Sequence, residues 1–124
     1  MPSRETIDKV LHDLNNTQGI EISALLSRDG LLISSTMERN ADTFAAMSAT
    51  MFGAAVIAAV EFGKGLPDRV IVETKLGKLI ASGAGQKALI IVMARDDSTL
   101  GQILIEVSKA SDRINKVFEN NWFE

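Results

Sequence analysis

Cysteine is absent from the 124 residues, which removes disulfides, thiolate metal sites and cysteine nucleophiles and makes the cytoplasm the expected compartment. Histidine occurs once, at His12. It stands beside the apolar stripe of the first helical pattern with no second His or Cys to complete a metal set, so it reads as a boundary side chain. A Ser-His-Asp triad has no nucleophile-elbow motif to support it. Runs of basic charge are missing too: 13 Lys and Arg against 16 Asp and Glu give a net charge of -3, and the scattered cations form no footprint for nucleic acid or an anionic membrane. The start, Met1-Pro2-Ser3-Arg4-Glu5-Thr6, has no apolar core or small-residue cleavage site, so export is not expected. No G-x-x-x-x-G-K-[S/T] motif occurs, which excludes a P-loop nucleotidase.

What remains is an ordinary globular composition, 46% hydrophobic and 23% charged, at a length that suits one domain over residues 1–124. Ile7, Val10, Leu11 and Leu14 recur at helical spacing between Ser3, a candidate N-cap, and Gly19, a stop. Ile20, Ile22, Ala24 and Leu26 then alternate with Glu21, Ser23, Leu25 and Ser27, predicting a strand with one face more buried than the other. Asp29 and Gly30 tolerate positive φ and place a tight turn before a second strand, Leu31 to Ser35.

From Asp42 to about Gly63 one long helix is predicted, with Asn40 or Asp42 as its cap. Between Asp42 and Glu61 it holds no charge at all. One stripe is Phe44, Met47, Met51, Ala55, Ala58 and Phe62; another is Ala45, Ala49, Phe52, Val56 and Val60. A helix apolar or small on all sides has no wet face and must be covered twice. A membrane span is the rival reading, since about 18 uncharged residues is near the lower limit for crossing a bilayer. Ala, Ser and Thr dilute the hydropathy and Lys/Arg flanks are missing, so no membrane insertion is expected. One face on the chain's own sheet and the other partly in a protein interface is the preferred arrangement, with adaptable Met side chains suited to the seam.

Lys64-Gly65-Leu66-Pro67-Asp68 breaks the helix. Strands follow at Arg69 to Thr74, Lys78 to Ser82 and Ala88 to Ala94, with turns at Leu76-Gly77 and Gly83-Ala84-Gly85. The last strand is a continuous apolar run, as for a strand covered on both faces at mid-sheet. Asp96-Asp97-Ser98-Thr99 opens a final helix carrying Leu100, Ile103, Leu104, Val107, Ala110, Ile114 and Phe118. The order α-β-β-α-β-β-β-α, with its hairpins, implies an antiparallel sheet with helices on both faces.

Two patterns look like chemistry and are better read otherwise. Gly83-Ala84-Gly85-Gln86-Lys87-Ala88 fits G-x-G-x-x-A, but a dinucleotide site needs a helix after the motif and the most strand-like segment follows instead. Asp96 and Asp97 could be drawn as a carboxylate pair, yet acids ahead of a helix commonly serve its dipole and cap. No catalytic residue, metal or cofactor is therefore assigned.

The element order, the segment Gly19-Ile20-Glu21-Ile22-Ser23-Ala24-Leu25-Leu26-Ser27-Arg28-Asp29-Gly30-Leu31-Leu32-Ile33, the Ala/Met-rich middle helix and Asp96-Asp97-Ser98-Thr99-Leu100-Gly101-Gln102-Ile103 together resemble Roadblock/dynein-light-chain domains. The resemblance implies an α+β fold: a five-stranded antiparallel sheet with the middle helix on one face and the first and last helices on the other. It also implies pairing of two copies through the third strand and middle helix. Phe44, Met47, Ser48, Met51, Ala55, Val70, Val72 and Thr74 are then the expected dimer-interface residues, with Asp29, Gly30, Ser98 and Gly101 at structural turns and caps.

Family members regulate or scaffold Ras-like small GTPases or link dynein to cargo, so a non-catalytic homodimer that contacts such a GTPase is the expected function. A structural adaptor without effect on nucleotide turnover and a small-molecule sensor are the alternatives. The terminal pair Trp122-Phe123 is expected to pack on the fold.

Overall fold

A computed structural model of the chain describes residues 4–120; Ser3 and the Trp122-Phe123 pair lie outside the described residues. The element order is α1 (Arg4–Asn15), β1 (Ile20–Ser27), β2 (Leu32–Ser35), α2 (Ala41–Glu61), β3 (Arg69–Thr74), β4 (Gly77–Ala84), β5 (Ala88–Arg95) and α3 (Leu100–Asn120). All strands pair antiparallel in one sheet of order β2-β1-β5-β4-β3. β5, the uninterrupted apolar segment, takes the centre, where both its faces are covered.

Two cores sandwich the sheet. On one face Ile7, Val10, Leu11 and Leu14 of α1 and Ile103, Val107, Ala110 and Ile114 of α3 pack on Leu25, Ile80, Ile90 and Val92. On the other, Ala45 and Phe52 of α2 pack on Ala24, Leu26, Ala81, Leu89 and Ile91. Simple alternation misreads β1: both faces are buried from Ser23 to Leu26, because the strand lies between β2 and β5 under helices on either side. A bulge between Ile20 and Ile22 shifts the parity, so Ile20 joins Leu25 on the α1/α3 side.

Burying Ser23 within this strand requires partners for its polar atoms. Its Oγ donates to Asn15 Oδ1 at 3.0 Å and its N–H donates to Thr36 Oγ1 at 2.9 Å. Ser34 Oγ likewise donates to Asp8, so α1 holds the short edge strand β2 by hydrogen bonds. Arg113 of α3 donates to Asp13 of α1 at 2.9 Å. That bond, with Lys9 nearby, holds the Asp13 carboxyl below its ordinary value of 3.8.

Local chemistry corrects several boundaries. Asn40 occupies the N-cap of α2, but with φ 60 and no side-chain capping bond; its carbonyl accepts from the Phe44 N–H instead. β4 runs on to Ala84, which pairs with Ala88, so the turn is Gly85-Gln86-Lys87 rather than Gly83-Ala84-Gly85. Gly77 begins β4, leaving Lys75 and Leu76 at the preceding tip. Gly30 turns β1 into β2 at φ 93 while an added Cβ would stand 3.3 Å from both the Ala46 Cα and the Ala49 Cβ. Ser98 Oγ donates back to the Arg95 carbonyl. Gly101 lies in the first turn of α3, where an added Cβ meets nothing.

Gly30→Ala is expected to destabilise the fold by about 1–3 kcal/mol through backbone strain and crowding, whereas Gly101→Ala should stabilise it by about 0.4–1 kcal/mol. Urea denaturation of the two variants checks both signs. Asp13 binds its proton less readily folded than unfolded, so its contribution is complete above the unfolded value near 3.8 and fades as pH falls through the lower folded value. Asp13→Asn should therefore flatten the acid limb of the stability profile below about pH 4, measured by thermal unfolding across pH.

Candidate functional site

A 21-residue helix is about 31 Å long, whereas four spacings of about 4.8 Å separate the edges of a five-stranded sheet by about 19 Å. α2 connects one edge strand, β2, to the other, β3, and has length to spare. Of its 21 residues, Ala45, Ser48 and Phe52 are buried. Phe44, Ala49, Met51 and Val56 pack partly on the same core, and Val56 is the last α2 residue of that core. Beyond it and outward, Met47 is 67% exposed, Ile57 70% and Phe62 81%. Val60 and Leu66 are exposed as well.

The two sequence stripes thus divide between faces. Ala45 and Phe52 of the second stripe lie inward, flanked by the half-buried Ala49 and Val56. The first stripe gives Phe44, Met51 and Ala55 as half-buried shoulders and Met47 as outer surface. Ser48 differs from expectation: at 3% exposure it belongs to the inner face, because it follows Ala45 and precedes Phe52 by one helical turn each. Gly53 lies exposed in mid-helix with open space around an added Cβ. The absence of charge that marked this helix in sequence leaves a broad apolar and small-residue surface, the pattern of an interaction site. By length and composition alone α2 could also cross a membrane; here its inner face packs on the sheet.

β3 continues this surface. It is an edge strand in regular register with β4, with Val70 and Val72 half-buried and Arg69, Ile71, Glu73 and Thr74 exposed. Val70 packs on the α2-side core, and alternation puts Val72 and Thr74 on that face as well. The candidate residues from α2 and β3 therefore converge on one side of the sheet, with Ser48 buried beneath the helix and the others half-buried or exposed.

Sequence reasoning passed over Arg28. Its guanidinium donates to the Gly85 carbonyl at 2.6 Å and lies 5.4 Å from the Phe52 ring centroid, within cation–π range. Partial burial lowers its pKa from the ordinary arginine value. Arg28 thereby pins the β1–β2 turn to the β4–β5 turn over the main anchor of α2. A cavity of about 390 Å³ beside it is lined by Val56, Pro67, Arg69, Ser82 and Asp112 among others. A signal was present in the Arg28-Asp29-Gly30 turn, but its distant carbonyl partner was not.

The remaining motifs lie apart from this surface. His12 is exposed on α1. Gly83 lies within β4 and Gly85 in the turn, with β5 rather than a helix following. Asp97 pairs with Arg95 at 3.1 Å, while Lys78 Nζ donates to the Asp96 carbonyl. Among the described residues, His, Asp and Glu form no group of three able to hold a metal ion.

Comparisons with known proteins agree with this geometry. The Roadblock/LC7 domain model matches residues 6–94. An uncharacterized protein of Methanocaldococcus jannaschii, MJ0310, is 35% identical over 114 residues, covering 90% of this chain and 99% of that protein. The structure of Myxococcus xanthus MglB superposes with a TM-score of 0.89 at 22% identity, covering 95% of this chain and 91% of that one. A Roadblock/LC7 domain from Streptomyces avermitilis gives a TM-score of 0.82 at 23% identity, covering 94% and 98%.

Phe52→Ala is expected to cost about 3–5 kcal/mol, since it removes the buried anchor of α2. Met47→Ala, on the outer face, should stay within about 0.5 kcal/mol for the dilute isolated subunit. Urea titrations at low protein concentration distinguish the two faces of the helix.

Proposed function

This chain belongs to the Roadblock/LC7 domain family, and on that premise we propose that it is a non-catalytic homodimer which regulates or scaffolds a Ras-like small GTPase in the cytoplasm. The observation that carries the reading is the outer face of α2 with the β3 edge: a contiguous apolar surface for which one subunit supplies no cover. A two-fold dimer reuses one patch on both copies and buries it at standard interface size or more. The paired α2 helices then form a platform, and the apolar residues left at its margins, Phe62 and Leu66 among them, supply contact area for a partner.

Contact is the mode of action in this proposal. A binding module alters nucleotide turnover on a GTPase by holding that protein's mobile loops in one arrangement, and it needs no reactive group of its own. A solved structure described as MglB with tetrameric arrangement supports self-association as a habit of chains with this fold.

Met47→Asp tests the seam more cleanly than Met51→Asp, because Met51 also packs on its own subunit's core. Met47→Asp should leave subunit folding within about 0.5 kcal/mol and weaken dimerisation by several kcal/mol if the carboxylate is trapped unpaired. Light scattering reads the mass and circular dichroism the fold; a monomeric parent chain refutes the dimer. A GTPase isolated with the chain should hydrolyse or exchange nucleotide at a changed rate when the chain is added. Unchanged rates with intact binding would leave a scaffold and remove regulation.

A further inference from the structure

We infer that the cavity at the start of β3 is a binding site for a small zwitterion, a free α-amino acid with an apolar side chain. The site does not depend on the homodimer or on a GTPase partner, and it gives a use to Gly83 and Gly85, which form no dinucleotide motif.

Strand register sets the position of the cavity. Arg69 stands opposite Ser82, and residues directly opposite each other share a face. Ser82 has the parity of Ile80 and Ala84, which pack on the α1/α3 core, so Arg69 and Ser82 turn toward α3, whose Ser111 and Asp112 line the same cavity. Gly83 has the parity of Ala81 and faces α2, which contributes Val56 to the lining. Because β3 begins at Arg69 while β4 runs on to Ala84, the cavity reaches round the edge of β4 where β3 does not cover it. Its volume of about 390 Å³ lies within the range of small-molecule pockets.

A side chain at position 83 would block this edge: an added Cβ would stand 2.9 Å from Arg28 Nη2. With glycine there, the guanidinium lies across the strand and donates from Nη2 to the Gly85 carbonyl at 2.6 Å. A guanidinium carries five N–H donors in a planar fork, and the fork matches a carboxylate.

The charges on the walls favour a ligand of both signs. Arg28, Arg69, Asp68 and Asp112 all line the cavity, and none of them is in an ion pair among the described residues. Two guanidiniums attract any anion, but two carboxylates on the same walls oppose a plain one such as phosphate. A ligand with a carboxylate and an ammonium on one carbon meets both sets, and the wrong ligand leaves one set unanswered. The hydroxyls add polar contacts. Ser82 is 5% exposed, and Ser111 Oγ is buried without a hydrogen-bond partner among the described residues. A buried hydroxyl of that kind calls for a partner that the chain does not supply. Val56, Leu66 and Pro67 offer the apolar wall for the side chain.

Titration calorimetry and amide NMR of the full chain with L-valine, L-leucine and L-methionine test the site. At least one should bind saturably and shift the Gly83 and Gly85 amides. Its deaminated and decarboxylated counterparts, isovalerate and isobutylamine for valine, should each bind at least about tenfold more weakly, since each loses one charge-assisted contact. Arg69→Gln and Asp112→Asn, both at exposed positions, should each weaken the amino acid about tenfold with circular dichroism unchanged. Ser111→Ala removes the orphan hydroxyl and should weaken binding about fivefold while holding or raising the urea midpoint, which a merely structural hydroxyl would lower.

Inorganic phosphate or the deaminated acid binding as tightly as the amino acid makes this a plain anion site and overturns the assignment. Saturable binding by none of the three amino acids overturns it as well, as does binding that all three variants leave unchanged.

Discussion

Every larger feature of this molecule follows from a single requirement: a helix of 21 residues with no charge between Asp42 and Glu61 must be kept from water on more sides than one sheet can cover. Packing on the sheet satisfies Ala45, Ser48 and Phe52 and partly shelters their neighbours. The rest of α2 stays apolar and open. Hydrophobic stabilisation scales with area removed from water, so the outer face carries free energy that the isolated subunit does not realise and that a second surface can. Selection for folding alone would place Lys and Glu at such positions, since exposed helix sites tolerate them at no cost in helix propensity.

Topology turns this requirement into a located site. α2 is the crossover between the two edge strands, β2 and β3, and must traverse the sheet. Its excess length falls where the chain returns to β3, so the unfilled helix face and the unpaired strand edge adjoin. The other face of the sheet is closed by α1 and α3, themselves joined by Arg113 and Asp13. That closed layer gives the open one a rigid support: residues of β5 and β4 on the α1/α3 side, Ile90 and Ile80, are fully buried and fix the strands that α2 rests on.

Much of this was legible in the residues. Element order, the central place of Ala88 to Ala94 and the charge-free helix came from periodicity and turn chemistry, which are local signals. Departures arose wherever a distant partner decided the outcome. Ser23 looked like an outward residue of β1 until α1 supplied Asn15 as its hydrogen-bond acceptor. Ser48 looked like seam because a serine amid alanines carries no mark of which face it takes. Arg28 was invisible as a clamp because its partner, the Gly85 carbonyl, is 57 residues away. The bulge at Ile20 and Ile22 has no composition signal, yet it decides which side Ile20 faces.

The two sheet edges are built differently, and the difference bears on how assembly stops. An exposed edge is a template for any extended chain. β2 has four residues, carries a register irregularity opposite Leu25 and Leu26 and is bonded through Ser34 to α1, all of which make it a poor template. β3 has six residues, regular pairing and exposed and half-buried positions that alternate from Arg69 to Glu73. Pairing β3 with its symmetry mate consumes the good edge on both copies at once and leaves only β2 exposed. In the proposed dimer the sheet is therefore self-limiting: the strand that drives association is used up by it.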